Sequence, residues 1–223
     1  MVGNSFTFYY NLPMTLELMA QAKGLPWVVH QSTAGGATLK QHWLGEKKLK
    51  TKKRLRQKKF DRIIFQEHSR YPLIAIDTTE KYLKKMVDFS SDKAKKYVYA
   101  TWSYPKILMD QRQNVSSLEI EKAYASFTSF SGTILPVGRA FDLFREMYPQ
   151  QGLFTSDNKH PNPVGSYLAA CVLFSQLSGL SSQGLPRRKA EKIKRGKEIY
   201  YFIVEKEVAL QCQKIADQVV FGR

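Results

Sequence analysis

At 223 residues the chain fits a single hydrophobic core, and we expect one domain over residues 1–223. Hydrophobic residues make up 43% of the chain and aromatic residues 13%, but no apolar run approaches the ~20 residues that cross a bilayer, which excludes a membrane-spanning protein. The formal net charge of +16 at pH 7 suits a binder of nucleic acid or of another anionic surface, because lysine and arginine neutralise phosphates.

Four short runs rich in β-branched and aromatic residues predict strands, and the stretches between them have the apolar spacing of helices. Strands that alternate with helices imply right-handed crossovers and a mostly parallel sheet covered on both faces. The sequence therefore predicts an α/β fold with three layers, α/β/α. The predicted strands are 27–33, 62–68, 97–103 and 133–137, and the predicted helices are 13–22, 73–89, 117–130 and 138–147.

A loop over residues 148–161 comes next, followed by a helix whose start is well marked. Asn162 can cap this helix, Pro163 suits its first turn, and residues 164–177 are apolar. The segment that follows is polar, basic and contains glycine. A last predicted helix covers residues 204–220.

Both cysteines, Cys171 and Cys212, lie in stretches with helical periodicity, so we expect buried free thiols rather than a disulfide. The CxxC and HExxH spacings are absent, and the sequence predicts no metal and no other cofactor. No cationic stretch followed by an apolar one precedes the first motif. No signal peptide is therefore visible, and the expected compartment is the cytoplasm unless a leader once preceded Met1.

The first chemical motif lies at residues 2–7 (VGNSFT), shortly before the helix predicted from Pro13. A serine here stands on a strand-to-helix turn, where the amino terminus of a helix favours developing negative charge. Ser5 is therefore a candidate nucleophile. The alternative is an ordinary Gly-Asn-Ser turn, because a serine is unreactive unless a base activates it and a third group orients the base.

Residues 156–161 (SDNKHP) supply such a base and orienting group. Asp157 and His160 stand three apart on the predicted loop, where the carboxylate can accept from one imidazole nitrogen while the other nitrogen faces the serine. The alternative is a solvated loop in which Asp157 merely begins a turn. The other histidines are interpreted as structural hydrogen-bonding groups: His30, His42 and His68.

Acyl transfer also needs donors for the oxygen that becomes charged in the tetrahedral intermediate. Residues 34–37 (AGGA) follow a predicted strand, and glycine there lets a substrate approach the N–H of Gly36 or of its neighbour Gly35. Gln66, just past another predicted strand, offers a side-chain amide, and the N–H of Ser5 is the third donor. The competing interpretations are a tight turn and a polar residue at a strand end.

These pieces, in this order, resemble the sequence blocks of the SGNH/GDSL hydrolase superfamily over nearly the whole chain. Ser5 matches the nucleophile of the first block, and Gly36 matches the oxyanion glycine of the second. Asp157 and His160 match the pair of the fifth block, and the residues after His160 (HPNPVGSYL) look like the start of the helix that follows it.

The sequence departs from the superfamily pattern at two places. Gln66 stands where the third block usually has the asparagine that completes the oxyanion hole. Only Met1 and Val2 precede Gly3, where members of the superfamily have a full central strand. We therefore expect a truncated first strand, as an upstream start or a shortened chain would produce.

The resemblance implies a flavodoxin-like sheet of five strands in the order 2-1-3-4-5 and a serine esterase that works without a cofactor. In the implied reaction Ser5 attacks an ester carbonyl, His160 accepts its proton, and Asp157 orients His160. The N–H groups of Ser5 and Gly36 and the amide of Gln66 would hold the oxyanion.

The substrate is defined only as a class. Members of the superfamily hydrolyse acetyl esters on sugars, short acyl esters, thioesters and lipids, and the lack of a long apolar lid favours a small acyl group, such as acetyl on a carbohydrate. Trp43, Trp102 and Tyr104 can form a wall for sugar stacking, with Asn4 and Gly35 as further substrate contacts. Packing of these aromatic residues in the core is the alternative.

A second function class stays open: a catalytically degenerate SGNH fold that binds an anionic polymer or nucleic acid through its basic surface. The positive charge is concentrated in residues 47–59, 81–96 and 187–197. A charge run is more often a solvated helix face than a binding site, so these runs favour anionic partners without defining one. Salt-dependent binding to nucleic acid without esterase activity would identify this class. The sequence carries no signal for an oligomeric state.

Overall fold

The computed structural model describes residues 1–105, 107, 115–192 and 197–222. The chain divides into two compact units, each made of two separated stretches. The first unit consists of Met1–Thr7 and His30–Gly138, and the second consists of Phe8–Val29 and Arg139–Arg223. The single domain expected from the sequence stays a prediction.

The first unit contains a five-stranded sheet in which every neighbouring pair is parallel. The strand order is β2-β1-β3-β4-β5, with helices in the connections, so the predicted α/β class and the flavodoxin-like order are confirmed. The central strands are buried for most of their length, as expected for strands of a parallel sheet. The five strands are β1 Val2–Gly3, β2 Ser32–Thr33, β3 Arg62–Phe65, β4 Lys95–Tyr99 and β5 Thr133–Leu135.

The first strand has only two residues although it occupies the centre of the sheet, which confirms the expected short strand. Val2 is paired with Ser32 on one side and with Phe65 on the other. The carbonyl of Val2 accepts the N–H of Gln66 at 2.8 Å, so the ladder continues one residue beyond β3. The carboxyl ends of β1 and β3 therefore lie side by side, where parallel sheets bind ligands.

The helices of the first unit occupy the connections between strands. Thr38 begins α3 with a capping box in which its hydroxyl accepts the N–H of Gln41 and the side chain of Gln41 accepts the N–H of Thr38. These helices are α1 Ser5–Phe8, α3 Leu39–Leu44, α4 Thr51–Gln57, α5 Tyr71–Ile74, α6 Ile76–Phe89 and α7 Ser117–Ala125.

The second unit is built around one buried helix. The side chain of Asn162 accepts the N–H groups of Val164 and Gly165 at 2.9 and 3.0 Å, which confirms the predicted cap. Cys171 and Cys212 are buried free thiols in two packed helices, as predicted. The elements are α2 Leu12–Ala22, α9 Pro163–Ser178, α10 Lys206–Phe221 and the antiparallel strands β6 Arg188–Lys192 and β7 Glu198–Ile203, while α8 Val137–Met147 joins the two units along the chain.

Several predicted boundaries were wrong. Of the strand predicted over 27–33 only Ser32–Thr33 forms, because the N–H of Val29 is used by the carboxylate of Glu17 at 2.6 Å. The helix predicted over 73–89 is broken at Ala75, whose backbone is not helical, and the helix predicted over 117–130 ends at Ala125. The β6–β7 hairpin was not predicted. Residues 193–196 of the third basic run lie outside the described residues.

Candidate active site

Ser5 is the first residue of α1 and follows directly on the carboxyl end of β1. It is 9% exposed, so its surroundings are largely fixed by protein. The turn before it requires glycine, because a Cβ on Gly3 would overlap the hydroxyl of Thr7 and the side chain of Gln66. The sequence therefore places the candidate nucleophile at the edge of the sheet where ligands bind.

Gln66, which directly follows the neighbouring strand β3, holds this turn in place through hydrogen bonds. Its Oε1 accepts the N–H of Asn4 and the hydroxyl of Thr7, each at 2.9 Å. Its Nε2 donates to the carbonyl of Glu67, so two backbone groups fix the orientation of the amide. Gln66 has no exposed surface. The oxyanion role predicted for Gln66 stays a prediction that this burial disfavours, because a substrate cannot reach the amide in this conformation.

Asn4 was predicted to contact the substrate, but it is buried and its side chain is used internally. Its Nδ2 donates to the carbonyl of Ala37 at 3.0 Å, and its Oδ1 accepts the N–H of Phe6 at 3.1 Å. Asn4 therefore links the turn that carries Ser5 to the glycine turn that follows β2. The structure supports a positioning role for it rather than a substrate contact.

The glycine turn presents a suitable donor for an oxyanion. Gly36 has a φ of +58°, in the left-handed region that favours glycine, and both Gly35 and Gly36 are exposed. No acceptor in the described part of the chain takes the N–H of Gly36. The carbonyl of Gly35 accepts from Lys47 Nζ at 2.6 Å, which fixes the other side of the turn.

Glu67 is a buried carboxyl group that no sequence pattern singled out. Its Oε1 accepts the N–H of Leu39 at 3.0 Å and the N–H of His68 at 2.6 Å, so it links the start of α3 to the loop after β3. Its Oε2 has no hydrogen-bond partner among the described residues. Burial raises the pKa of Glu67 to about 7, although the two backbone N–H groups favour its charged form.

The three aromatic residues predicted to stack on a sugar contact other residues of the protein instead. Trp102 has no exposed surface, and its ring stacks on Phe6 at 4.6 Å. A ring buried in this way packs against α1 and cannot contact a sugar. Trp43 lies on α3 with its ring against Phe89 of α6. Tyr104 is buried, and its hydroxyl lies 3.0 Å from that of Ser69.

His42 holds the backbone of the turn that precedes Ser5. Its Nε2 lies 3.0 Å from the carbonyl of Gly3, and its Nδ1 lies 2.7 Å from the hydroxyl of Thr51. Since a carbonyl only accepts, Nε2 carries the proton and Nδ1 accepts from Thr51. The hydroxyl of Ser32 extends this network at 2.9 Å from that of Thr51. The structural role predicted for this histidine is confirmed.

The neutral state of His42 should make its contribution to stability depend on pH. Burial lowers the pKa of His42 from 6.5 to about 4. As the pH falls, the unfolded chain therefore binds a proton at position 42 before the folded chain does. The contribution of His42 to the free energy of unfolding is complete above pH 6.5, and about 3 kcal/mol of it is lost progressively between pH 6.5 and 4. We expect His42→Gln to destabilise the protein clearly at pH 7.5 and much less at pH 4, measured by urea unfolding. A pH-independent difference between the two chains would contradict a neutral His42.

In the second unit, Asp157 and His160 form the pair predicted from their spacing. His160 Nδ1 lies 2.5 Å from Asp157 Oδ2. Asp157 Oδ1 accepts the N–H groups of Lys159 and His160, both at 2.9 Å, and the hydroxyl of Thr155 at 2.8 Å. Partial burial alone would raise the pKa of Asp157, but the hydrogen bonds from His160, Thr155 and Lys159 hold it well below its usual value. Asp157 is therefore ionised, and because a carboxylate only accepts hydrogen bonds, Nδ1 of His160 is the donor in this contact.

Two further residues position this pair, and the sequence did not reveal them. The ring of Tyr9 stacks on that of His160 with centroids 4.3 Å apart and planes 13° apart. The carbonyl of Tyr9 accepts the hydroxyl of Ser166 on α9 at 3.2 Å. Tyr10 and Asn11, which follow Tyr9, have left-handed backbones, an arrangement that no pattern of polar and apolar residues predicts.

The described residues contain no group of three or more His, Cys, Asp or Glu side chains placed to hold a metal ion. Within the same residues, no helix combines the length and the apolar character that crossing a membrane requires.

No protein-family model matches the chain, and no curated protein matches its sequence. Solved structures do match. A DUF4886 family protein from Bacteroides uniformis has a TM-score of 0.75 at 16% identity, over 99% of this chain and 93% of its own length. A proposed SGNH hydrolase from Slackia heliotrinireducens has a TM-score of 0.64 at 26% identity, over 79% of this chain and 96% of its own length.

The match at 16% identity bears on the fold alone, whereas the match at 26% identity also connects the fold to a protein described as a hydrolase. The chain thus has an α/β fold of the SGNH hydrolase type.

Proposed function

We propose that this protein is a serine hydrolase that cleaves small acyl esters, with Ser5 as nucleophile and His160 as general base. The observation that carries the proposal is the Asp157–His160 pair, in which the carboxylate fixes the proton on Nδ1 and leaves Nε2 as a base. The hydrolase fold supports it, because a serine then stands at the carboxyl end of the central strand.

In the proposed reaction, Nε2 of His160 accepts the hydroxyl proton while Ser5 Oγ attacks the ester carbonyl carbon. The N–H groups of Gly36 and Ser5 stabilise the oxyanion of the tetrahedral intermediate. Collapse of the intermediate expels the alcohol, which takes the proton from His160 and leaves Ser5 acylated. Water then attacks the acyl group, His160 accepts its proton, and the acid and the free serine are released.

The proposed substrate class is an ester with a small acyl group, such as an acetylated carbohydrate. Support for the small acyl group comes from the exposed glycine turn, where a Cβ placed on Gly36 would meet only Lys47 Nζ within 4 Å among the described residues. The carbohydrate part has less support than the sequence suggested, because Trp102 is buried. Gly35, which is exposed beside Gly36, remains a candidate contact for the alcohol portion of the ester.

The experiment that tests this function is reaction with a fluorophosphonate probe, which captures activated serines, together with hydrolysis of p-nitrophenyl acetate. We expect one covalent adduct per chain, located on Ser5 by peptide mass spectrometry. His160→Ala should slow labelling by about 10²–10⁴-fold, because the general base is lost. Lys214→Ala is the matched control, since it removes an exposed side chain of the same unit. An adduct on another serine, or equal labelling in the two variants, would refute the assigned roles.

A further inference from the structure

Three helices of the first unit bring cations together around two aromatic rings. The ring of Trp43 on α3 meets that of Phe89 on α6 edge to face, with centroids 5.5 Å apart. Lys52 Nζ from α4 lies 4.8 Å from the centre of the Trp43 ring, and Lys85 Nζ from α6 lies 5.4 Å from it. The guanidinium of Arg56 on α4 lies 4.6 Å from the Phe89 ring. We call these five residues the cation–aromatic cluster.

The cations of the cluster are held in place but not neutralised. None of the three forms an ion pair with a carboxylate in the described part of the chain, and Asp88, next to Phe89, is paired with Lys84 at 2.9 Å. Contact with a ring face stabilises a cation by about 0.5–1 kcal/mol at an exposed site and leaves its remaining N–H groups free to bind an anion. The rings therefore preorganise donors whose charges repel one another.

The surroundings of the cluster add to its positive potential. Residues 47–59 contain nine lysines and arginines and no aspartate or glutamate. An open groove of about 360 Å³ runs along the cluster, lined by Lys52, Lys53, Arg56, Gln57 and Phe89. At physiological salt the Debye length is about 8 Å, so cations around one groove act on the same ligand.

From this geometry we infer that the cation–aromatic cluster is a binding site for a phosphodiester polymer, recognised through its phosphates. Arginine binds phosphate through two parallel N–H groups and lysine acts as a point charge, so the groove offers both modes. The ring of Trp43 already carries two ammonium groups, which disfavours stacking of a base on it. The site would therefore be indifferent to base sequence. This inference does not depend on the proposed hydrolase activity.

The test measures binding of a fluorescein-labelled single-stranded oligothymidylate by fluorescence anisotropy at several salt concentrations. We expect Lys52→Gln/Arg56→Gln/Lys85→Gln to lower the affinity at least about 10-fold at 50 mM salt and to reduce the salt slope by about 2, because each lost phosphate contact removes about 0.7 from that slope. Lys40→Gln/Lys93→Gln/Lys95→Gln is the matched control, since it removes three exposed lysines of the same unit. Lys52→Arg/Lys85→Arg should retain binding.

Unlabelled inorganic polyphosphate distinguishes phosphate recognition from base recognition. Competition by polyphosphate at equal phosphate concentration supports recognition through the phosphates. If nucleic acid competes and polyphosphate does not, recognition through the phosphates is overturned. Equal losses in the cluster variant and its control would show that net charge alone is responsible. Absence of binding by the native protein, or binding only to phosphatidylglycerol vesicles, would also overturn the inference. Hydrolysis of p-nitrophenyl acetate by the cluster variant should equal that of the native protein.

Discussion

Replacing Ser5 by alanine is expected to lower the rate of p-nitrophenyl acetate hydrolysis by at least about 10⁴-fold, because the variant has no oxygen to form the acyl-enzyme. The hydroxyl is one small polar group on a residue that is 9% exposed, so its removal should change the free energy of unfolding by less than about 1 kcal/mol. Activity should be measured together with urea unfolding, so that loss of catalysis is separated from loss of folded protein.

The matched control for this experiment is Ser91→Ala, which removes an exposed serine hydroxyl in the same unit. We expect it to keep both activity and stability. Residual activity above a few per cent in Ser5→Ala would identify another nucleophile and would remove the basis for the proposed mechanism. If the native protein itself shows no hydrolysis and no fluorophosphonate adduct, the hydrolase proposal fails, whatever the outcome of the oligothymidylate experiment.

Replacing Gln66 by alanine is expected to lower the free energy of unfolding by about 3 kcal/mol. The N–H of Asn4 and the hydroxyl of Thr7 would lose their acceptor inside the protein, and each unsatisfied buried group costs about 1–3 kcal/mol. The carbonyl of Glu67 would lose one of its donors as well, keeping only the hydroxyl of Tyr124 among the described residues. Activity should fall in the same variant, because the turn that carries Ser5 is no longer held, and urea unfolding beside the esterase assay measures both effects.

This variant also decides between two roles for Gln66. If the amide is an oxyanion donor, as its position after β3 suggested, Gln66→Ala should lower kcat by about 10²–10³-fold with little change in stability. If Gln66 instead holds the turn in place, the free energy of unfolding should fall by about 3 kcal/mol in the same variant. Gln57→Ala, on an exposed position of α4, is the control and should change stability by less than about 0.5 kcal/mol.

The sequence predicted the features that depend on local order along the chain. Alternating strands and helices led to the parallel sheet, and the spacing of Asp157 and His160 led to a pair that is joined at 2.5 Å. The cap at Asn162 was also predictable, because capping involves only its immediate neighbours in sequence.

The features that the sequence could not reveal depend on distant contacts. Gln66, Asn4 and Trp102 have residue types that suit a substrate site, and only the packing of separate loops shows that they are buried. The stacking of Tyr9 on His160 joins residues that are far apart in sequence, so the spacing of apolar residues along the chain cannot predict it. The β6–β7 hairpin was not predicted, because its many charged residues form a pattern that is typical of a solvated loop.

Two buried groups described above have opposite effects on the exchange of protons during folding. Between about pH 4.5 and 6.5, the unfolded chain carries an ionised glutamate and a protonated histidine at positions 67 and 42, whereas in the folded chain both groups are neutral. The stability lost by His42 as the pH falls through this range is regained by Glu67, whose contribution decreases as the pH rises towards 7. In this pH range Glu67 therefore takes up one proton on folding and His42 releases one. Because no net proton is exchanged with the buffer at these two sites, the heat of folding that arises there does not depend on the ionisation enthalpy of the buffer.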